Sequence, residues 1–135
     1  MALQQSVAVR NARLDAIEVA IGVSAVLKLR TGAAPASCAA ADTGTVVATI
    51  ALPADWMAAA AAGSKAKSGT WEDTSADAAG VVGHFRIYAS DGTTCHMQGT
   101  VTATGGGGDM TLDNTNAAAG QNILISTFSI TAANA

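Results

Sequence analysis

The spacing of apolar side chains divides the chain into one helical segment and a long region of strands. Residues 4–21 carry apolar positions at helical spacing, with polar side chains mostly on the other sides, and Gly22 follows as a helix stop. From Ser24 onward the period changes to two, which indicates β-strands. We therefore expect an N-terminal helix or arm over residues 1–22 and a single β-domain over residues 23–135.

Alternating runs of apolar residues predict about seven antiparallel strands after this helix. The predicted strands lie at 24–30, 44–52, 65–72, 81–89, 95–104, 109–113 and 121–131. Asp91 and Gly92, between the fourth and fifth runs, form a strong hairpin signal. The Ala-rich segment at 55–63 is expected to be a short helix anchored by Trp56 and Met57. Frequent turns and the lack of strand–helix–strand alternation favour a β-sandwich or jelly roll.

The large apolar residues inside the clearest strand patterns form the predicted core. They are Leu27, Val47, Ile50, Phe85, Ile87, Val101, Ile123, Ile125 and Phe128. Alternation in the strand at 81–89 places Phe85 and Ile87 on the core face. The residues that alternate with them fall on the opposite face: His84, Arg86 and Tyr88.

The apolar stripe of the N-terminal helix has two interpretations. The helix either covers one side of the chain's own sheet or packs on another chain as an arm or bundle helix. The stripe is apolar beyond what a small Ala-rich sheet is expected to cover. We therefore treat four of its residues as candidate contacts of a homo-oligomer, a dimer or a trimer. They are Val7, Leu14, Ile17 and Ile21.

Composition and charge narrow the classes of function. Half of the 135 residues are apolar, but alanine supplies 32 of them, and only 13% of residues are charged. The net charge of −3, with no basic patch, argues against nucleic-acid binding. No apolar run reaches the roughly 18 residues of a membrane span. The first nine residues lack the pattern of a secretory signal, so synthesis in a cytoplasm is expected.

The residue types that carry chemistry do not form a recognisable catalytic or metal-binding motif. Cys95 and His96 are neighbours on a strand, so their side chains point to opposite faces and do not readily share a zinc ion or act as a nucleophile–base pair. Asp73, Asp77 and Asp91 lack the spacing of an EF-hand calcium loop. We therefore expect no enzymatic activity, no metal and no cofactor.

The two cysteines, Cys38 and Cys95, leave two alternatives open. They are too few for a disulfide scaffold, and a chain made in a reducing cytoplasm usually keeps its thiols. A protein that later leaves the cell can be oxidised, and closing so long a loop would stabilise the fold by roughly 4 kcal/mol. The sequence permits both a free thiol pair and a disulfide.

Four turn and strand motifs give the chain a family resemblance. A strand ends in a TG-x-x-P turn at 31–35, and a W-x-D-T-S-A-D segment covers 71–77. A G-x-F-R-[IL] strand lies at 83–87, and A-G-Q at 119–121 precedes the last strand. Together these motifs resemble a family of small proteins encoded among the structural genes of tailed bacteriophages. The motifs identify a scaffold, and no catalytic residue is transferred with them.

This resemblance implies a non-enzymatic virion protein that binds and stabilises the phage capsid, as cement or decoration proteins do. It implies the major capsid protein as partner and a place on the exterior of the phage head after synthesis in the host cytoplasm. Alternatives are a tail, collar or head-fibre component, or a host- or carbohydrate-binding β-sandwich module. Few charges and short side chains suit packing in a repeated array, since little side-chain entropy is lost on assembly.

Overall fold

The computed structural model describes residues 2–133, which form one helix and ten strands. The helix α1 spans Val7–Ile21. The strands are β1 Val26–Thr31, β2 Val46–Ala51, β3 Ser64–Ala66, β4 Trp71–Asp73, β5 Gly80–Tyr88, β6 Cys95–Ala103, β7 Met110–Leu112, β8 Asn116–Ala117, β9 Ile123–Ile125 and β10 Ser129–Thr131. Residues 1, 134 and 135, at the outer ends of the two predicted domains, lie outside the described residues.

Six of the strands form one curled mixed sheet. Its order is β2-β1-β5-β6-β7, and β8 pairs with the start of β5. All of these pairs are antiparallel except β6 with β7, which are parallel. The pairs β3–β10 and β4–β9 are separate and antiparallel. The prediction of a mainly β chain with one helix is confirmed, but the prediction of seven strands, all antiparallel, is wrong.

Local signals define both ends of α1. Ser6 precedes the helix in an extended conformation, and its hydroxyl oxygen accepts a hydrogen bond from the Val9 N–H at 3.2 Å. Gly22 follows the helix with a φ of +91°, a value that favours glycine, and its N–H bonds the Glu18 carbonyl at 2.9 Å. The predicted stop at Gly22 is confirmed, while the helix begins three residues later than predicted.

The Ala-rich segment at 55–63 is not helical, so this prediction is wrong. The segment runs without regular structure to a tight turn, where Ala62 and Gly63 have φ values of +53° and +76°. Ala61 and Ser64 pair across that turn. The helix propensity of alanine is a weak preference, and contacts between this segment and α1 override it.

Two of the predicted strands are each divided into two shorter ones. The run at 121–131 is broken at 126–128, because β9 pairs with β4 while β10 pairs with β3. Phe128 lies in the break and is buried. The run at 65–72 is broken in the same way between β3 and β4, where Gly69 has a φ of +71°. A continuous β-rich pattern therefore does not reveal that its two halves take different partners.

The predicted core is confirmed. Each of its nine residues is at most 7% exposed: Leu27, Val47, Ile50, Phe85, Ile87, Val101, Ile123, Ile125 and Phe128. At its centre four aromatic rings contact one another in series, with centroids 5.6 to 6.0 Å apart: Trp56, Trp71, Phe128 and Phe85. Trp71 belongs to β4 and Phe85 to β5, so these rings join the small strand pairs to the main sheet.

A methyl group added at Gly83 is expected to destabilise the protein. Gly83 lies on β5, and the Cβ of an alanine there would overlap the backbone carbonyl of Gly32. Because backbone atoms cannot rotate away, Gly83→Ala should lower the free energy of unfolding by about 1–3 kcal/mol. Thermal unfolding followed by circular dichroism measures the change, and an unaltered midpoint would show that the Gly32 backbone has room to move away from β5.

Candidate functional site

The inner side of α1 is held in place by polar side chains that bond the backbone of segment 57–63. Three helix residues accept hydrogen bonds from backbone N–H groups there. The pairs are Asn11 with Gly63 (2.9 Å), Asp15 with Ala60 (2.9 Å) and Glu18 with Met57 (3.3 Å). The order of these pairs shows that helix and segment run antiparallel. Together the bonds fix α1 against the chain along most of its length.

A buried lysine strengthens the same contact. Lys65, which is 2% exposed, places its ammonium 2.8 Å from the Asp15 carboxylate and 2.9 Å from that of Glu18. It also donates to the Ala58 carbonyl at 2.9 Å. Burial lowers the pKa of Lys65, but its hydrogen bonds to the two carboxylates outweigh that effect and the net shift is upward. The ammonium therefore stays charged at neutral pH and holds α1 to β3.

The four predicted interface residues of α1 lie in different surroundings. Leu14 and Ile21 are buried within the chain, at 2% and 6% exposed, and Ile17 packs against the core. Val7, at the first residue of the helix, is 46% exposed. Leu14, Ile17 and Ile21 thus cover the chain's own core, which is the first of the two interpretations above. A partner could reach the side chains of Leu14 and Ile21 only if α1 left the fold, whereas Ile17 is partly buried.

The opposite side of α1 presents small apolar residues to solvent, and we call this surface the outer face of α1. Its residues are Ala8, Val9, Ala12, Arg13, Ala16, Val19 and Ala20, continued past the helix end by Val23. The four alanines follow one another at a spacing of four, so they form one line along the helix. Val19 is 81% exposed and Val23 is 70% exposed. A search for large apolar residues overlooks this face because half of it is alanine.

A shallow cleft continues the outer face of α1 at the C-terminal end of the helix. Val19 and Val23 line it together with Ala54, Gly22, Glu18 and Asp55. Exposed apolar surface bordered by polar residues is typical of protein-interaction sites. Because the side chains are short, the backbone of a partner can approach the helix closely here.

A loop at 32–44 covers the other face of β5, the one that carries His84, Arg86 and Tyr88. A disulfide between Cys38 and Cys95 joins this loop to the start of β6, with the two Cα atoms 5.2 Å apart. The structure thus selects the disulfide from the two alternatives that the sequence left open. The alternation predicted for β5 is confirmed, but both of its faces are buried rather than one.

The buried side chains of this face bond the loop directly. Arg86 is 1% exposed and pairs with the Asp42 carboxylate. It also donates to three loop carbonyls, those of Ser37 (3.1 Å), Cys38 (3.1 Å) and Ala40 (3.2 Å). Arg30 pairs with the second carboxylate oxygen of Asp42 at 3.0 Å, and the Tyr88 hydroxyl donates to Asp42 at 2.7 Å. Asp42 is therefore the common partner of three buried side chains.

Acid is expected to weaken this cluster through Asp42. Burial alone would raise the pKa of Asp42. Hydrogen bonds from Tyr88 and Arg86 and the charge of Arg30 lower the pKa by more than burial raises it, so the net shift is downward. A carboxyl with a lowered folded pKa contributes its full stability above the unfolded pKa of about 4, and loses it as pH falls through the folded value. Urea unfolding at about pH 5 and about pH 3 should therefore show a larger loss for the wild type than for Asp42→Asn. Equal losses would assign the acid sensitivity to other carboxylates.

The histidines and the loop aspartates either make hydrogen bonds within the fold or lie apart from one another. His84 is fully buried, with Nδ1 2.8 Å from the Gly32 carbonyl, whereas His96 is exposed. Asp73 and Asp91 accept backbone hydrogen bonds in turns. The bonds from Thr94 and Thr93 lower the pKa of Asp91 to about 2. Within residues 2–133, no three His, Cys, Asp or Glu side chains lie close enough to hold a metal ion.

Comparison with protein-family models, with curated proteins and with solved structures found no match to this chain. In the part of the chain that the structure describes, no helix is long and apolar enough to cross a lipid bilayer.

Proposed function

We propose that this protein is a non-enzymatic structural component of a phage virion that binds and stabilises the capsid as a cement or decoration protein. The observation that carries the proposal is the outer face of α1, an apolar surface on a helix whose inner side is fixed. The resemblance of the sequence motifs to phage structural proteins indicates the particle to which the protein would bind, a phage virion. The partner is then the major capsid protein on the exterior of the head.

The way α1 is anchored makes its outer face suitable for binding. Asn11, Asp15, Glu18 and Lys65 already hold the helix, so a partner does not have to order it. Alanine has almost no side-chain entropy to lose when it is buried. A ligand that binds only the assembled capsid stabilises that state, and contacts shared between neighbouring capsid subunits resist their separation.

The expected contact is mainly apolar. Arg13 is the single charged residue on the outer face of α1, and its side chain bonds the Gln5 side-chain oxygen at 2.6 Å. Three of the chain's cations, Arg30, Lys65 and Arg86, are buried in ion pairs and unavailable to a partner. Occupancy on the capsid should therefore change little with salt, because screening acts on exposed charges. The homo-oligomer, a dimer or trimer, stays a separate prediction, because the outer face of α1 cannot contact the capsid and a second copy of the chain at once.

We also propose that the fold is a β-sandwich in the broad sense. The β3–β10 and β4–β9 pairs supply strands outside the main sheet, and the aromatic series from Trp71 through Phe128 to Phe85 packs between them and β5. This arrangement supports two layers around one core, as sandwiches have. The parallel β6–β7 pair departs from the usual all-antiparallel pattern.

A sedimentation assay with a matched control tests the proposed function. Capsids of the phage that encodes this chain, assembled without it, are mixed with purified protein and pelleted. Val19→Asp places a charge in the outer face of α1 and should lower occupancy roughly tenfold or more, as for a central interface residue. Val81→Asp makes the same change at another exposed valine, on β5, and should bind like the wild type. Equal occupancy for both variants would exclude the outer face of α1 as the contact.

The same purified protein, mixed with phage particles, also distinguishes a place on the head from a place on the tail, collar or head fibre. Binding of the unmodified protein to tails or to a single vertex, but not to heads, would favour a tail, collar or head-fibre component. A carbohydrate-binding module has weaker support, because such sites stack sugars on exposed aromatic rings. All five aromatic residues of the chain are at most 7% exposed: Trp56, Trp71, Phe85, Tyr88 and Phe128.

A further inference from the structure

We propose that the Cys38–Cys95 disulfide closes only after the chain has folded, and that Asp42 acts with Arg86 as a positioning residue for its formation. The loop at 32–44 is held in two independent ways: by the covalent bond, and by a polar cluster in which the buried side chains of Arg30, Arg86 and Tyr88 bond Asp42 of the loop. The inference concerns when the covalent bond forms. It does not depend on the proposed capsid role.

The polar cluster bonds the backbone around Cys38 and includes Tyr88, the cross-strand neighbour of Cys95. The Arg86 guanidinium donates to the carbonyl of Cys38 itself at 3.1 Å and to the carbonyls of Ser37 and Ala40 on either side. Cys95 is paired across the sheet with Tyr88, whose hydroxyl donates to Asp42. Asp42 in turn pairs with Arg86. One connected set of bonds therefore places the two sulfur atoms together without any covalent link.

The separation of the cysteines along the chain makes this placement necessary. Cys38 and Cys95 are 57 residues apart, so an unfolded chain brings them together only at the entropic cost of closing a long loop. In the folded chain that cost is already met, and the reaction becomes intramolecular at a high effective concentration. Both cysteine residues are partly exposed, so we expect a small reagent to reach them.

The reaction is a thiol–disulfide exchange with a small-molecule disulfide, such as oxidised glutathione. The thiolate of one cysteine attacks a sulfur of the reagent, a mixed disulfide forms, and one small thiol leaves. The thiolate of the second cysteine then attacks the protein sulfur of the mixed disulfide, which forms the Cys38–Cys95 bond and releases the second small thiol. The cysteine pair is oxidised by two electrons, and the reagent is reduced by two. Two protons pass from the protein thiols to the released thiols.

The rate of closure tests the role of Asp42. Wild type, Asp42→Asn and Asp113→Asn are purified under a reducing agent, checked for native circular dichroism, and exposed to oxidised glutathione. Free thiols are then trapped with N-ethylmaleimide at intervals and counted by mass spectrometry. Asp42→Asn should close about tenfold more slowly than wild type, because hydrogen bonds to a charged group are lost. Asp113 is exposed and has no bonded partner in the described structure, so Asp113→Asn should close at the wild-type rate.

Two further measurements separate positioning from general stability. In concentrated urea all three proteins should close slowly and at one rate, because no cluster exists there. Hydrogen exchange on fully reduced wild type should still show protection of the loop amide of Ala40, which bonds the Ser37 carbonyl. Should Asp42→Asn fail to fold, Tyr88→Phe removes only the hydroxyl that binds Asp42 and should slow closure to a smaller extent. Equal native closure rates, or a reduced wild type whose loop is unprotected, would overturn the proposal.

Discussion

Replacing Arg86 with methionine is expected to lower the free energy of unfolding by about 3–5 kcal/mol. Arg86 is buried, and its guanidinium contacts the Asp42 carboxylate and three carbonyl oxygens of the loop at 32–44. Methionine fills much of the same volume but donates no hydrogen bond, so these acceptors lose their partner within the fold. Urea unfolding of the oxidised proteins measures the difference.

Arg13→Met is the matched control for this substitution. The same chemical change is made on the exposed outer face of α1, where it should alter stability by no more than about 0.5 kcal/mol. A loss below about 1 kcal/mol for Arg86→Met would mean that the disulfide alone holds the loop, and the cluster around Asp42 would then have little part in the stability of the fold.

Replacing Phe85 with alanine is also expected to cost about 3–5 kcal/mol. Phe85 is 2% exposed on β5 and packs edge-on against Phe128, with ring centroids 5.7 Å apart. Removing the ring leaves a cavity where the main sheet meets the segment between β9 and β10. The lost contacts cannot be replaced unless both elements move. Chemical denaturation at neutral pH is the appropriate measurement.

Val81→Ala serves as the control on the same strand. Val81 is 59% exposed, so removing its two methyl groups creates no cavity and should cost much less than Phe85→Ala. A cost below about 1 kcal/mol for Phe85→Ala would place its ring outside the core and reverse the face assignment of β5.

The sequence was sufficient for the elements whose signals are local. Alternation in β5 predicted which residues face the core, and Asp91 with Gly92 predicted the turn before β6, where the Gly92 N–H bonds the Ala89 carbonyl. Gly22 was the predicted stop of α1, and its N–H makes the capping bond at that end. Each of these features depends on residues a few positions apart, which is the range that patterns along a chain can report.

Patterns along the sequence did not predict features that depend on contacts between residues far apart in the chain. Segment 57–63 is alanine-rich, yet it is not helical, and its backbone N–H groups bond Asn11, Asp15 and Glu18 of α1. The burial of Lys65 and Arg86 follows from carboxylates that lie 50 and 44 residues away in the chain, Asp15 and Asp42. A single sequence gives no sign of such pairs, because a lone lysine or arginine is usually exposed.

The sequence also did not show which side of α1 is left exposed for a partner. The sequence left open whether the large apolar residues of α1 cover the chain's own core or contact a partner, and the structure buries Leu14 and Ile21 in the core. The surface left for a partner is built from Ala8, Ala12, Ala16 and Val19. Once the buried side of a helix is known, its opposite side is the place to look for an interface.

Electron cryomicroscopy of decorated phage heads tests the central proposal most directly. Heads of the phage that encodes this chain, assembled without it, are incubated with the purified protein and imaged with undecorated heads as reference. We predict density on the outside of the head that repeats with the capsid lattice, with the outer face of α1 against the major capsid protein. Density confined to the tail or to one vertex, or a bound molecule whose α1 faces solvent, would contradict the proposal.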